Sequence, residues 1–388
     1  MARIACSLSI IVILLAASPL VAQEAPAVKS ITIEEDGFGF KFLPLGVTHN
    51  NTMVVFYEHW TGSSTALKAR FITASGNPGQ TSTIAASIDS RMWDAVWHPV
   101  LKRFVVVYRL NNALYARPVG QFGAPLSPAK KLCDYSDVYI HIAWTNRKKF
   151  VLFITRGGQV VAQALKKNGK KKKGEQAVTG VAAGEAYPVG AATEDDGTAV
   201  AYYAHYVSST NLLTPRLVKV NHKPKNVIAD FAISSPRGST AKATFVGAYD
   251  PASQTHSVAW RFVGAGGVNA RYCTFYESGA MRKHPTAIPG RVSPRALLYN
   301  PSTQRFAILF IDYAYFAPPD SAGPAAMDHT ELHLVIYNPS GSIADSDYLI
   351  WQGQAEHEGY GVGHAKNGSL LAVMSYETIA GIFGRFIY

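Results

Sequence analysis

The chain is short of cysteine, of acidic side chains and of long apolar runs, and each shortage removes a class of protein. Three cysteines in 388 residues cannot hold together a disulfide-built scaffold. Cys133 and Cys273 lie far apart in sequence and are expected to be buried small apolar residues rather than a bridge. After residue 22 no apolar stretch reaches the ~20 residues that a bilayer-spanning helix needs. No long segment repeats its apolar residues with the 3.6-residue period of a helix either. With 26 acidic against 37 basic side chains, pairs of carboxylates for acid–base chemistry are scarce.

What is present begins with "MARIACSLSIIVILLAASPLVAQEAPA". Arg3, the apolar stretch from Ile10 to Leu20 and the small residues near Ala22 have the layout of a secretory signal peptide, assigned to residues 1–22. Cys6 precedes the apolar core, where a bacterial lipid-attachment cysteine would not be. Residues 23–28 read as a short linker and 29–388 as one domain of an exported protein, secreted or periplasmic and monomeric.

The net charge of +11 is unevenly spread. Lys166, Lys167, Lys170, Lys171, Lys172 and Lys173 lie together in "ALKKNGKKKKGE". Such a run suggests a nuclear address or a nucleic-acid patch. Export removes the first, and without interleaved aromatic residues there is no platform for stacking single-stranded bases. Specific nucleic-acid binding is therefore not expected. The run reads as a solvated turn or as a contact with anionic surfaces made by Lys170, Lys171, Lys172 and Lys173.

A pattern of apolar strand, polar turn, dense apolar strand, alternating strand and short last strand recurs along the chain. Clear copies are "AVWHPVLKRFVVVYRLNNALYARPVGQFG", "IAWTNRKKFVLFITRGGQVVAQALKKNGK" and "ALLYNPSTQRFAILFIDYAYF". The first strands are expected to end at His49, His98, Thr145, Glu194, Asp250, Asn300 and His364, which makes seven units of four strands. The two longest steps coincide with "AHYVSSTNLLTP" and "DYAYFAPPDSAGPAAMDHT", read as extended loops. Val, Ile, Tyr and Phe gather in runs of four to eight bounded by Gly, Pro, Asn and Asp, the signature of strands. Units of this size are propeller blades.

The last unit ends after three strands at "IFGRFIY", while "SITIEED" at Ser30–Asp36 stands alone near the start. The sequence thus resembles the exported bacterial seven-bladed β-propellers: an all-β ring of four-stranded antiparallel blades, with the N-terminal strand completing the seventh. The likeness is to an architecture and its "Y-N/D-P" blade motif. The Trp-Asp and kelch signatures are absent.

In such a ring, ligands are met on the face made by the loops that enter each first strand and join the second to the third. Candidate binding residues there are Trp60, Arg91, Tyr135, Arg156, Tyr206, Arg261, Arg291, Tyr315, His357 and Tyr376, since arginine forks beside aromatic plates suit sugars, carboxylates and sulfates. Carboxylates that could converge for glycosidic chemistry are Asp137, Glu185, Asp312 and Glu377. "MDHTELH" spaces His329 and His333 four apart, but in a strand that places them roughly 13 Å from each other, too far for one metal ion. No metal, cofactor or catalytic residue is assigned. The expected function is non-catalytic binding of a glycan, an anionic polymer or an envelope protein. The alternative is a carbohydrate-active enzyme with carboxylates at the channel mouth.

Overall fold

The computed structural model describes residues 28–387 except 37–38, 40, 48–50, 61, 138, 173, 180–184, 211, 225, 236, 239–244, 265–266, 289–292, 317–325, 344–347, 354–356 and 377–381. At 28, 237–238, 262–264, 267–269, 313–316, 326–330, 353, 357–359 and 376 it describes the backbone alone. The proposed signal peptide lies outside the described residues, and no helix among them is long and apolar enough to cross a membrane.

Seven antiparallel sheets are present. Blade 1 comprises Phe42–Val47, Thr52–Trp60, Thr65–Ile72 and Pro78–Ala85. Blade 2 comprises Trp93–His98, Arg103–Leu110, Ala113–Gly120 and Lys130–Asp134. Blade 3 has Ile140–Thr145, Lys149–Arg156, Gln159–Leu165 and a two-residue fourth strand, Gln176–Ala177. Blade 4 has Glu185–Thr193, Ala199–Val207, Leu212–Val220 and Val227–Ala232, and Arg237–Gly238 adds a fifth strand beside the third. Blade 5 has Phe245–Asp250, Thr255–Gly264, Gly267–Tyr276 and Met281–Ile288. Blade 6 has Ser293–Asn300, Arg305–Phe316, Ala326–Tyr337 and Tyr348–Gly353. Blade 7 takes His357–His364, Leu370–Tyr376 and Ile382–Ile387 from the end of the chain and Val28–Glu34 from its beginning.

Apolar density explains this radial order. The second strand of blade 1 is buried along nearly its whole length because blades cover both its faces, whereas the fourth strand of blade 4 has no fully buried residue. Buried both ways, a strand reads as a continuous apolar run. Seven apolar clusters fill the seven blade junctions. Between blades 1 and 2, Phe56 meets Phe104 edge to face at 5.1 Å between ring centroids, a pairing worth about 1 kcal/mol beyond area burial.

Each first strand touches the next around the whole ring, and the seventh touches the first. At that last junction the inner backbones nearly meet. A Cβ on Gly46 would strike the His364 backbone, and one on Gly361 or Gly363 would strike Phe42 or Pro44. The returning N-terminal strand is also fastened sideways to blade 1. Tyr57 donates to Glu34 at 2.7 Å, Lys68 pairs with the same carboxylate at 3.1 Å, and Lys29 reaches the Ser75 carbonyl at 3.0 Å.

Among the described residues, "AHYVSSTNLLTP" is strand apart from a turn at 208–210, and "DYAYFAPPDSAGPAAMDHT" is strand at both its ends. The second and third strands of blade 6 run to twelve residues each and those of blade 5 to ten, the longest hairpin arms of the ring. Their Tyr and Phe content gives these arms a β-former's preference.

Antiparallel alternation sorts the connections onto two faces. Loops that enter a first strand or join the second to the third lie on what is here the upper face; first-to-second and third-to-fourth turns lie on the lower. Five third-to-fourth turns share one geometry. In blade 3 the Lys166 amide donates to the Lys170 carbonyl at 2.8 Å and the Gly169 amide to Lys166 at 2.9 Å. Gly76, Gly123, Gly279 and Gly341 repeat the Gly169 position, all with φ between 71° and 86°, as a glycine-bulge hairpin requires. The lysine run is therefore a blade turn, as its place in the repeat implies. Its backbone is set by Gly169, which leans on Ala116 of blade 2.

Candidate functional site

On the upper face a polar residue lies one position from the start of each inner strand of blades 1 to 3. Lys41 precedes Phe42, Asp94 is the second residue of its strand and so is His141. Asp94 Oδ2 lies 3.3 Å from His141 Nδ1 and accepts the Ile142 amide at 3.0 Å, while Oδ1 accepts the Ala95 amide at 2.9 Å. Burial alone would raise the Asp94 carboxyl, but His141, Lys41 and the Ile142 amide together hold it below the usual carboxylate value. Behind this row, buried Glu58 accepts from Trp93 Nε1 at 2.8 Å, Ser90 Oγ at 2.9 Å and the Arg91 amide. Desolvation still keeps its carboxyl above the usual value. Lys41 donates to the Trp93 carbonyl and lies over the Trp93 ring. Burial lowers its pKa, against the pull of Asp94 and Glu58.

Beside the row, at the junction of blades 3 and 4, four tyrosines gather. Tyr139 stacks on Tyr187 with 4.5 Å between centroids and 20° between planes. Tyr206 packs against the same small cluster of Tyr187, Ala204 and Leu213. Tyr187 is buried, and its hydroxyl finds no hydrogen-bond partner among the described residues. Tyr139 is partly exposed, with Asp137 and Glu185 close enough to raise its pKa after the larger effect of burial. The result is a partly exposed Tyr139 ring backed by the buried Tyr187 ring, with two carboxylates nearby.

The predicted residues fare unevenly. Tyr206 belongs to the tyrosine cluster. Tyr135 is buried: its hydroxyl donates to the Tyr139 carbonyl at 2.8 Å and accepts the Thr155 amide at 3.3 Å, so it props the plate from beneath. Arg156 lies over the Tyr135 ring and is held by Glu175 at 2.5 Å, a tie within blade 3. Arg91 is exposed, with φ 64°, and offers its amide to Glu58. Trp60 and Arg261 are half-buried at the upper ends or arms of second strands in blades 1 and 5, away from the plate. Tyr315, His357 and Tyr376 occupy strand positions, and Arg291 lies outside the described residues. Of the candidate carboxylates, Asp137 and Glu185 meet at the plate, Asp312 is buried in blade 6, and Glu377 lies outside the described residues. Lys41, Asp94, Tyr139 and His141 had no local motif to announce them. Their common signal is position, since each enters a first strand.

Three His and acidic groups also meet at the closing junction. Ligand atoms of Glu34, Asp36 and His59 lie within 4.8 Å of one another. Lys68 and Tyr57 already occupy Glu34, and His59 Nε2 contacts Asp36 at 3.2 Å. An ammonium on the shared carboxylate competes with a cation, so the group serves as a latch for the N-terminal strand. His333, from the spaced histidine pair, sits in a strand and pairs with Glu331 at 2.8 Å. Cys133 and Cys273 are free.

No protein-family model matches the chain, and no curated protein matches it. Solved structures do. A hydrazine synthase chain of Kuenenia stuttgartiensis has TM-score 0.57 at 9% identity, covering 90% of this chain and 96% of that one. An ulvan lyase, described as a new polysaccharide lyase family and bound to -[GlcA(1-4)Rha3S]-, has TM-score 0.57 at 10% identity, covering 92% and 95%. The propeller domain of the Trilobed protease from Pyrococcus furiosus has TM-score 0.51 at 8% identity, covering 90% and 94%. That domain is described as having an open velcro topology, whereas here the N-terminal strand closes the ring. These likenesses agree with the β-propeller fold that the seven sheets show, and extend no further than that fold.

Proposed function

We propose that the protein is an exported, non-catalytic propeller that binds a glycan through its upper face. The observation that carries this reading is the Tyr139–Tyr187 stack. Tyr139, partly exposed and backed by the buried Tyr187 ring, presents an apolar face at little entropic cost. Asp137 and Glu185 supply acceptors at its edge. A glycan array probed with the purified protein tests the reading. Binding is expected, together with its loss in Tyr139→Ala when circular dichroism shows the fold retained. A blank array, or binding indifferent to that substitution, sinks the reading in favour of a protein partner.

A second reading rests on the Asp94–His141 contact. A carboxylate on Nδ1 fixes the imidazole tautomer and leaves Nε2 to accept a proton. Next to a uronate sugar that base would remove the proton beside the carboxylate, the bond to the glycosidic oxygen would break, and water would protonate the leaving oxygen. Uronate polysaccharides incubated with the protein would then gain the ultraviolet absorbance of an unsaturated sugar. No such gain, or an equal gain with His141→Ala, removes this reading.

A further inference from the structure

The lower face holds a second feature, independent of the upper-face plate. Three turns converge at the rim between blades 3 and 4: the first-to-second turn of blade 3 with Arg147 and Lys149, its third-to-fourth turn with Lys172, and the third-to-fourth turn of blade 4 with His222 and Lys223. Lys172, His222 and Lys223 line a cleft of about 240 Å³. The Lys149 and Lys172 ammonium groups lie within hydrogen-bonding reach of each other, and Arg147 and Lys223 add their charge. Both ammoniums are donors only, so neither satisfies the other.

Acidic compensation is missing where it would be expected. Among the described residues none of Arg147, Lys149, Lys172 or Lys223 forms an ion pair. The one carboxylate lining the cleft, Glu175, is committed to Arg156 at 2.5 Å and 3.0 Å. The Lys149 amine is pushed down to about 8, first by contact with Lys172, then by burial, then by the charges of Lys172, Arg147 and Lys223. Burial lowers His222 as well, reinforced by Lys149, Arg147, Lys223 and Lys172.

The turns that carry these groups are fixed. Lys172 donates its amide to Ala164 at 2.9 Å, Lys170 to Asn168 Oδ1 at 3.2 Å, and Lys223 to Asn221 Oδ1 at 2.7 Å. Like charges held together by ordered backbone cost stability and are relieved by an anion with several acceptor oxygens.

We infer that this cleft is an oxyanion site that takes a sulfate or phosphate group. The cations are point-charge lysines around a small pocket with no Phe, Tyr or Trp in its lining, which suits a tetrahedral oxyanion better than a nucleobase. Lys166 and Lys167, though part of the run, do not line the pocket.

Calorimetric titration of the purified protein with inorganic sulfate, inorganic phosphate and heparin tests the site, with single-stranded DNA and uncharged dextran as controls. Sulfate or phosphate should bind and raise Tm, and Lys149→Gln with Lys172→Gln should weaken this at least tenfold. Lys166→Gln with Lys167→Gln removes equal charge and should leave it unchanged. Tighter binding of heparin than of free sulfate, lost in the same double variant, would mark the anion as one carried on a polymer. Equal weakening in both double variants, no anion binding at all, or a preference for DNA over heparin overturns the inference. Unliganded Tm of each variant, measured in parallel, separates loss of the site from loss of the fold.

Discussion

Two charged clusters, one at the junction of blades 4 and 5 and one at the lower rim between blades 3 and 4, handle charge in opposite ways. Lys219 in blade 4 is buried, and its ammonium pairs with buried Glu194, which also accepts from His256 Nε2 at 2.8 Å. His256 Nδ1 in turn meets the Tyr202 hydroxyl at 2.9 Å. Lys149 and Lys172 stand at the rim with no carboxylate partner among the described residues. The inner cluster is complete within the protein and joins blades 4 and 5. The outer one is incomplete without something added, and that difference separates a structural charge from one available to a ligand.

The largest expected effect comes from breaking the inner cluster. Glu194→Gln leaves Lys219 buried without a counter-charge and should cost about 3–5 kcal/mol in urea unfolding. Replacement of Lys149 has no such penalty, which is the contrast in its plainest form.

Acid acts next. Burial holds His256 below its ordinary pKa despite Glu194, and pushes His98 down to about 4 from 6.5. Between pH 6.5 and 4 the unfolded chain binds protons at these groups that the folded chain refuses, so stability falls as pH falls. Tm measured from pH 8 to 4.5 should show that decline. His98 packs against the Trp144 and Phe150 rings, and its Nε2 has no hydrogen-bond partner among the described residues. His98→Phe should therefore flatten the acid limb without collapse, and an unchanged limb would clear His98 of the effect.

Backbone strain ranks third. Gly169→Ala forces a Cβ onto φ 79° and against Ala116, whereas Gly157 at φ 58° has open space. The first should cost about 1–2 kcal/mol and the second about 1 kcal/mol or less in thermal unfolding. Equal costs would mean that the lysine turn does not lean on blade 2.

The smallest effect belongs to Lys149→Gln. Its depressed amine pKa means that the folded state bears a penalty, complete below about pH 8 and fading towards 10.5, where the unfolded chain releases its proton. The variant should melt slightly higher at pH 7, less so in high salt, and no higher at pH 10.5.

The architecture was readable because a repeat samples its own pattern seven times. His98, Thr145, Asp250, Asn300 and His364 each end a first strand as their spacing requires, and Glu194 follows one by a single residue. His49 lies outside the described residues. The closing strand runs Val28–Glu34, two residues earlier than "SITIEED" suggests. Sites were less readable, because a loop aromatic and a propping aromatic have the same local sequence. Tyr135 and Tyr139 are four residues apart, yet one is buried and the other half-exposed. Lys41, Asp94 and His141 come from three blades and become neighbours only through ring packing. The lysine turn was recognised, but its partners Lys149 and Lys223 were hidden in ordinary turns until the blades were set side by side.

The pairing of Val28 with Ile387 also dictates a sequence of events. A chain that emerges amino end first carries an unpaired β-strand through the making of every blade, and can mate it only after its last residues appear. Loop-closure entropy grows slowly with length, so the final pairing costs only modestly more than a far shorter loop would. Timing is the greater hazard, because a waiting edge can be captured by another chain. For this propeller, keeping the first strand solitary until the seventh blade is made is a task for whatever accompanies the chain during synthesis.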